Sequence, residues 1–351
     1  MASTNPLADD LNLVLARTEA LLPELRGKRI FITGGTGFFG RWLLESFAWA
    51  NARLDLGAEA VVLTRNPDAF KMKAPHLVED PAIKLHAGDV RNFSFPSGQF
   101  SHVIHGAADA SAKLNQENPL LMFDTIVEGT RRTLEFAAEA GARKMLFISS
   151  GAVYGKQPPE LSHIPEDFAG APDPADPLGA YGEGKRVGEM LSGLLARKHG
   201  FEAKIARAFA FVGPHLPLDA HFAIGNFIRD GLAGGPIQVL GDGTPVRSYL
   251  YSAELAVWLW TILFQGANMR AYNVGSETCL TIAETARMVA GCFSRKIPVK
   301  IQSGPASGPA LRYVPCTRRA REELGLTQEI EPCSATQKAI RWLQNTNAAQ
   351  T

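Results

Sequence analysis

The stretch Lys28–Ala50, KRIFITGGTGFFGRWLLESFAWA, decides the fold. A short β-rich run from Arg29 to Thr33 leads into three glycines, Gly34, Gly37 and Gly40, and then into a helical pattern. Strand, tight turn and helix follow one another without a spacer. The first glycine permits the turn, the second lets a phosphate approach the backbone, and the third lets the helix pack closely on the strand. The helix start then offers free N–H groups and a favourable dipole to an anion. This is a pyrophosphate cradle, and Phe38 and Phe39, inside the turn, count with it as cofactor-contacting residues.

Working outward, further apolar runs read as buried strands: AEAVVLTRN (58–66), AIKLHAGDV (82–90), SHVIHGAAD (101–109), KMLFISS (144–150) and EAKIARAFA (202–210). A long helix is predicted from about Leu120 to Ala140, and another over YGEGKRVGEMLSGLLARKHG (181–200). Near-unbroken apolar strands alternating with helices imply a parallel sheet covered on both faces. The expected class is α/β, a Rossmann doubly wound parallel sheet with a smaller C-terminal α/β substrate-binding domain. From about Pro214 glycine and proline become dense, as in GLAGGPIQVLGDGTPVRSY (231–249), and SGPASGPALRYVP (303–315) is a loop by composition. The division expected is a helical extension (1–26), a dinucleotide-binding domain (27–213) and a substrate domain (214–351), with exchange of a strand and a helix between the last two. Residues 7–26 read as an amphipathic helix whose acidic residues argue for a docked extension over a targeting signal.

Composition narrows the partners. The 351 residues carry a formal net charge of +1, which gives no electrostatic case for nucleic acid or an anionic membrane. The most apolar stretch of the second half, Val257 to Phe264, is too short to span a bilayer. Cys279, Cys292, Cys316 and Cys333 form no CxxC pair, and reduced thiols in the cytoplasm are expected. His102 and His105 lack a third ligand at metal-site spacing, so no metal is expected. Trp258, Trp260 and Phe264 read as core; His215 and His221 line the substrate cleft or are ordinary loop residues.

The second strand ends in Leu63-Thr64-Arg65-Asn66. An acidic residue there suits the ribose of NAD, whereas an arginine suits a 2′-phosphate, so Arg65 tilts the choice between NAD and NADP toward NADP. Asp89 and Val90 are placed to meet the adenine, and Ala107 and Ala108 are small where backbone passes close to the cofactor. Tyr181 and Lys185 stand four apart on one helix face, so the ammonium is expected to lower the phenol's pKa and fit it for proton transfer. Ser150, at a strand end, is the candidate to hold the reacting oxygen.

These residues resemble the extended short-chain dehydrogenase/reductases, in particular the NAD-dependent epimerase/dehydratase family acting on nucleotide sugars. TGGTGFFG is similar to that family's TGGxGFxG, HGAAD to HxAA, ISSGAVYG to SSxxVYG, YGEGK to YxxxK, and GDGTPVRSYLY to GDGxxxRxFxxV. The resemblance covers about Lys28 to Leu326. It implies that Ser150, Tyr181 and Lys185 form the catalytic trio, that Arg247 meets the substrate diphosphate, that Asn226 and Arg312 assist, and that Phe209 approaches the nicotinamide. It also implies a homodimer through a helix pair.

Departures from the family qualify the activity. Gly151 and Ala152 stand where the 4,6-dehydratases carry Asp and Glu, and Ala152 also replaces the glutamate of the UDP-glucuronate decarboxylases. Ile126 and Ala210 replace two common asparagines. The expected function is oxidoreduction at C4 of a nucleotide-diphosphate sugar, as 4-epimerase or 4-ketoreductase. The alternatives are a decarboxylase-like or dehydratase-like enzyme of the same kind, a reductase of a small non-sugar carbonyl, and a non-catalytic dinucleotide- or nucleotide-sugar-binding protein.

Overall fold

The computed structural model describes residues 5–108, 112–220, 222–302, 304 and 310–348. His221 lies outside the described residues. Seven parallel strands form the central sheet: β1 (Arg29–Thr33), β2 (Glu59–Thr64), β3 (Ile83–Ala87), β4 (His102–His105), β5 (Lys144–Ser150), β6 (Glu202–Ala208) and β7 (Ala271–Val274). Their spatial order is β7-β6-β5-β4-β1-β2-β3. The order reverses between β1 and β4, and a crevice forms beyond the carboxyl ends of the strands at such a switch point. The glycine turn follows β1 and Gly106–Ala108 follows β4, so both border that crevice.

The helices that shape the site are α1 (Ala8–Thr18), α2 (Phe38–Arg53), α3 (Pro119–Glu139), α4 (Ala180–His199), α5 (Ala223–Ala233), α6 (Ser252–Gln265) and α7 (Pro332–Ala348). One face of the sheet is covered by α2 and α6, the other by α3 and α4. Every residue from Ser252 to Phe264 in α6 is buried, which an all-round apolar helix requires. Helix α1 lies over α6 and supplies the second cover. Trp258, Trp260 and Phe264 are accordingly core.

Two expectations need adjusting. The N-terminal helix ends at Thr18, not near residue 26. Pro23 has no N–H with which to continue an α-helical ladder, and it sits instead in the first turn of a 3₁₀ segment, Leu22–Leu25. The seventh strand, β7, was not anticipated individually: AYNV is too short to stand out, and it enters the central sheet from beyond residue 214.

The remaining segments carry short strands. Val246–Arg247 is flanked by Leu280–Thr281 on one side and by Arg312–Tyr313 on the other. Tyr313 is the register partner of Arg247, and Arg312 that of Val246. This small sheet carries Tyr313, with Arg247 beside it, to the carboxyl end of β5.

Candidate active site

The turn after β1 is built as its glycines require. Gly34 has φ +74°, and a Cβ there would sit 2.5–2.7 Å from the backbone of Gly106 and Ala107. A Cβ on Gly40 would overlap the Gly34 carbonyl and the Gly35 backbone. Gly37 is exposed and caps α2, whose first amides have no acceptor within the helix. Phe38 and Phe39 pack on each other at 5.5 Å, and Phe39 meets Phe211 edge-on at 4.9 Å, which fixes the helix entry. Gly34 and Gly40 thus let the turn close on neighbouring backbone, while Gly37, whose Cβ would meet only the Gly34 carbonyl at 3.4 Å, leaves the mouth of the turn open for a phosphate.

Around the crevice, Arg65 is exposed at the end of β2. Asp89 receives a two-pronged hydrogen bond from Arg91 (2.9 and 3.0 Å), which holds its carboxyl below the usual range. The sequence reading missed that pairing. Val90 turns its side chain into the core, so the group it can offer an adenine is backbone. Ala107 donates its amide to Thr33 Oγ1 at 3.2 Å. His105 lies in the core between Thr33 Oγ1 (2.6 Å) and Thr130 Oγ1 (3.1 Å), and burial pushes it down to about 3; His102 meets Glu24 at 3.0 Å. Both are structural. His215 is also core, wedged between Trp42 and Trp342.

The proposed trio is brought together. Ser150 ends β5, accepts the Ala152 amide at 3.1 Å, and faces the phenol of Tyr181 from α4, on which it exerts a lowering pull. Lys185, one turn on, is 3% exposed; its ammonium donates to the Ile148 carbonyl at 2.7 Å and lies 6.0 Å from the Tyr181 ring centroid. Burial pushes the lysine down to about 8, against the pull of Glu189. The expectation that Lys185 lowers the Tyr181 pKa is not met here. Burial pushes that phenol above its ordinary value, and the opposing pull comes from Ser150. The ammonium is committed to a backbone carbonyl, and Lys185 is not among the groups that move the phenol. Ile126, where an asparagine was expected, packs on Gly184 beside Lys185 and brings no polar group there.

Beneath the trio lies a polar layer that the sequence reading did not include. Glu189 takes a two-pronged hydrogen bond from Arg207 (2.9 and 2.7 Å) and one from Ser149 (2.6 Å). Arg207 also donates to Tyr154 Oη at 2.8 Å, and Tyr154 to Asn273 at 2.8 Å. The spacing Tyr181, Lys185, Glu189 was a usable signal for the first member, since all three share one helix face.

Of the substrate candidates, Arg247 leans over the Tyr313 ring (5.9 Å) and has no carboxylate partner among the described residues. Its guanidinium is thus available to an anion. Arg312 sits on the neighbouring strand. Asn226, on α5, accepts a hydrogen bond from Arg229 at 3.3 Å. Phe209 packs against Tyr313 with ring centroids 4.7 Å apart and planes tilted by 36°. Tyr313, which no sequence motif singled out, places its hydroxyl 3.4 Å from Ser150 Oγ.

A doubly wound sheet with a glycine cradle at its switch point and a Tyr-Lys-Ser cluster opposite defines a dinucleotide-dependent short-chain dehydrogenase/reductase. Residues 30–275 match the NAD dependent epimerase/dehydratase family, and the chain belongs to it. It is 30% identical over 303 residues to UDP-glucuronic acid decarboxylase 5 of Arabidopsis thaliana, covering 86% of this chain and 85% of that protein. It is 28% identical to UDP-glucuronic acid decarboxylase 1 of Danio rerio, covering 92% and 74%. Among solved structures, a dTDP-glucose 4,6-dehydratase from Streptomyces venezuelae with NAD bound has a TM-score of 0.76 at 22% identity, covering 92% of this chain and 98% of that one. A UDP-glucose 4-epimerase from Thermotoga maritima with UDP-glucose has a TM-score of 0.74 at 20% identity, covering 91% and 99%. Among the described residues, no helix is long and apolar enough to cross a membrane.

Proposed function

We propose that this protein performs oxidoreduction at C4 of a nucleotide-diphosphate sugar, as a 4-epimerase or a 4-ketoreductase. The observation that carries the reading is the cluster at the crevice of buried Ser150 and Lys185 with half-buried Tyr181. Gly34, Gly37, Gly40 and the start of α2 would hold the pyrophosphate of NAD or NADP, with Arg65, Asp89, Val90, Ala107, Ala108 and Phe209 along its length. When bound, the nicotinamide supplies the hydride acceptor and donor. Tyr181 takes the proton of the sugar hydroxyl and returns it in the reverse direction, while Ser150 holds the oxygen. Arg247 and Arg312 meet the diphosphate, a match that guanidinium geometry favours. Residues 214–351, apart from α6 and β7, hold the substrate. Gly151 and Ala152 offer no further acid or base, which suits epimerisation and ketone reduction.

UDP-glucuronate decarboxylation is the second reading, favoured by the names of the curated relatives. Ala152 leaves the glutamate role empty, yet a ketone at C4 beside a C5 carboxylate makes a β-keto acid that loses CO₂ readily. We further propose a cytoplasmic homodimer through α3 and α4, where Met190 (67%) and Leu194 (57%) are exposed one turn apart.

The test is product analysis by NMR with UDP-glucose, UDP-glucuronate and a dTDP-4-keto sugar, with and without NADPH. An epimerase turns over without added cofactor, a ketoreductase needs external NADPH, and a decarboxylase releases CO₂. Binding of NAD(P) with no change in any nucleotide sugar would overturn both readings and favour a binding protein.

A further inference from the structure

Tyr313 occupies a seat that a missing side chain leaves open. A Cβ on Gly151 would come within 2.7 Å of Phe209 Cζ and 2.8 Å of Tyr313 Oη. The strap that carries Tyr313 is pinned next door, where Val314 donates its amide to Gln157 Oε1 (2.9 Å) and its carbonyl accepts the Ile164 amide (2.9 Å). The hydroxyl stands 3.4 Å from Ser150 Oγ and 3.4 Å from the Ala208 carbonyl, so distance favours neither partner.

Each hydroxyl has one proton to give. With Tyr181 neutral, a one-way chain satisfies every group: Tyr181 donates to Ser150, Ser150 to Tyr313, and Tyr313 to the Ala208 carbonyl. With Tyr181 ionised, the chain reverses. Tyr313 turns to donate to Ser150, and Ser150 donates to the phenolate. No proton leaves the cluster in this reversal; only the O–H directions change.

We propose that Tyr313 is a positioning residue that supports the ionised form of Tyr181 through Ser150, and that Gly151 keeps its seat open. The inference rests on Tyr181 being the acid–base group. The other ionisable groups facing this chain are Lys185 beside Tyr181, with Glu189 and His105 behind it, and Arg247 and Tyr154 beside Tyr313. All of these remain in the variants below.

The test is Tyr313→Phe, which keeps the ring on Phe209 and deletes only the hydroxyl. Phenolate absorbance is titrated with NAD⁺ present and without substrate, and the chain's six tyrosines are resolved by subtracting the Tyr181→Phe spectrum. The pH profile of nucleotide-sugar turnover is measured in parallel. The expected result is a Tyr181 titration about one unit higher and a kcat about tenfold lower at neutral pH, recovered at higher pH, with KM little changed. Gly151→Ala, which crowds the same seat without touching a hydroxyl, should shift both in the same direction. If both variants superimpose on the wild type while Tyr181→Phe removes titration and turnover, the role of Tyr313 is overturned and the acid–base reading stands. If Tyr181→Phe changes neither, that reading fails and the role of Tyr313 goes with it.

Discussion

Replacing Lys185 by methionine should stabilise the fold while ending its chemistry. The side chain is 3% exposed, and burial lowers the amine from 10.5 to about 8. Near pH 7 the native protein therefore holds a charge that its surroundings disfavour, and the shift corresponds to about 3 kcal/mol. Methionine removes that penalty but leaves the Ile148 carbonyl without its donor, which costs about 1–2 kcal/mol. The net expectation is a gain of about 1–2 kcal/mol near neutrality. The pH dependence has a definite sign. Above pH 8 the native state releases this proton, while the unfolded chain keeps it up to about 10.5, so wild-type stability rises across that window. The methionine advantage should shrink there and become a deficit at the upper end. Urea unfolding followed by tryptophan fluorescence at about pH 7 and about pH 10 measures both, since Trp42, Trp258 and Trp260 are buried reporters. A variant less stable at neutral pH, or a difference that ignores pH, would refute the argument.

Gly40→Ala should lose NAD(H) binding and about 1–3 kcal/mol of stability, because its methyl group meets backbone that cannot yield; calorimetric titration with NADH checks it. Arg65→Ala should weaken NADP⁺ about tenfold and leave NAD⁺ nearly unchanged, and equal losses for both would place Arg65 away from the ribose. Changing Met190 and Leu194 together to glutamate should convert a dimer to a monomer in light scattering without altering the fold. Cys292 is pushed up to about 12 by burial and by the neighbouring Cys333, whereas Cys279 is exposed. Iodoacetamide at neutral pH should therefore mark Cys279 before Cys292, and peptide mass spectrometry showing Cys292 alkylated earlier would contradict the described packing.

What could be read from the chain followed locality. The glycine turn, the six central-sheet strands preceding residue 214 and the Tyr-x-x-x-Lys helix are each encoded within a few consecutive residues, and their periodicity carries the signal. Ser150 was legible because it ends an apolar strand. Tyr313 was not, since its role depends on a register with Arg247 and on the absent side chain of residue 151, and neither leaves a mark near position 313. The strand β7 escaped for a related reason: four residues acquire meaning only by lying beside β6. The direction of the Tyr181 shift was misread because sequence spacing reports which groups are neighbours and is silent on desolvation, which here outweighs them.

The helix over α6 has a practical meaning. Asp10, buried, accepts Tyr251 Oη at 2.6 Å and Lys338 Nζ at 2.9 Å, while Leu7, Leu11 and Val14 close the apolar roof. Trimming the first twenty or so residues to obtain a tidier recombinant protein would bare one flank of α6 and strand two polar partners of Asp10. The shortened chain should aggregate during expression, and an affinity tag is better joined through a flexible spacer ahead of residue 5 than placed within that helix.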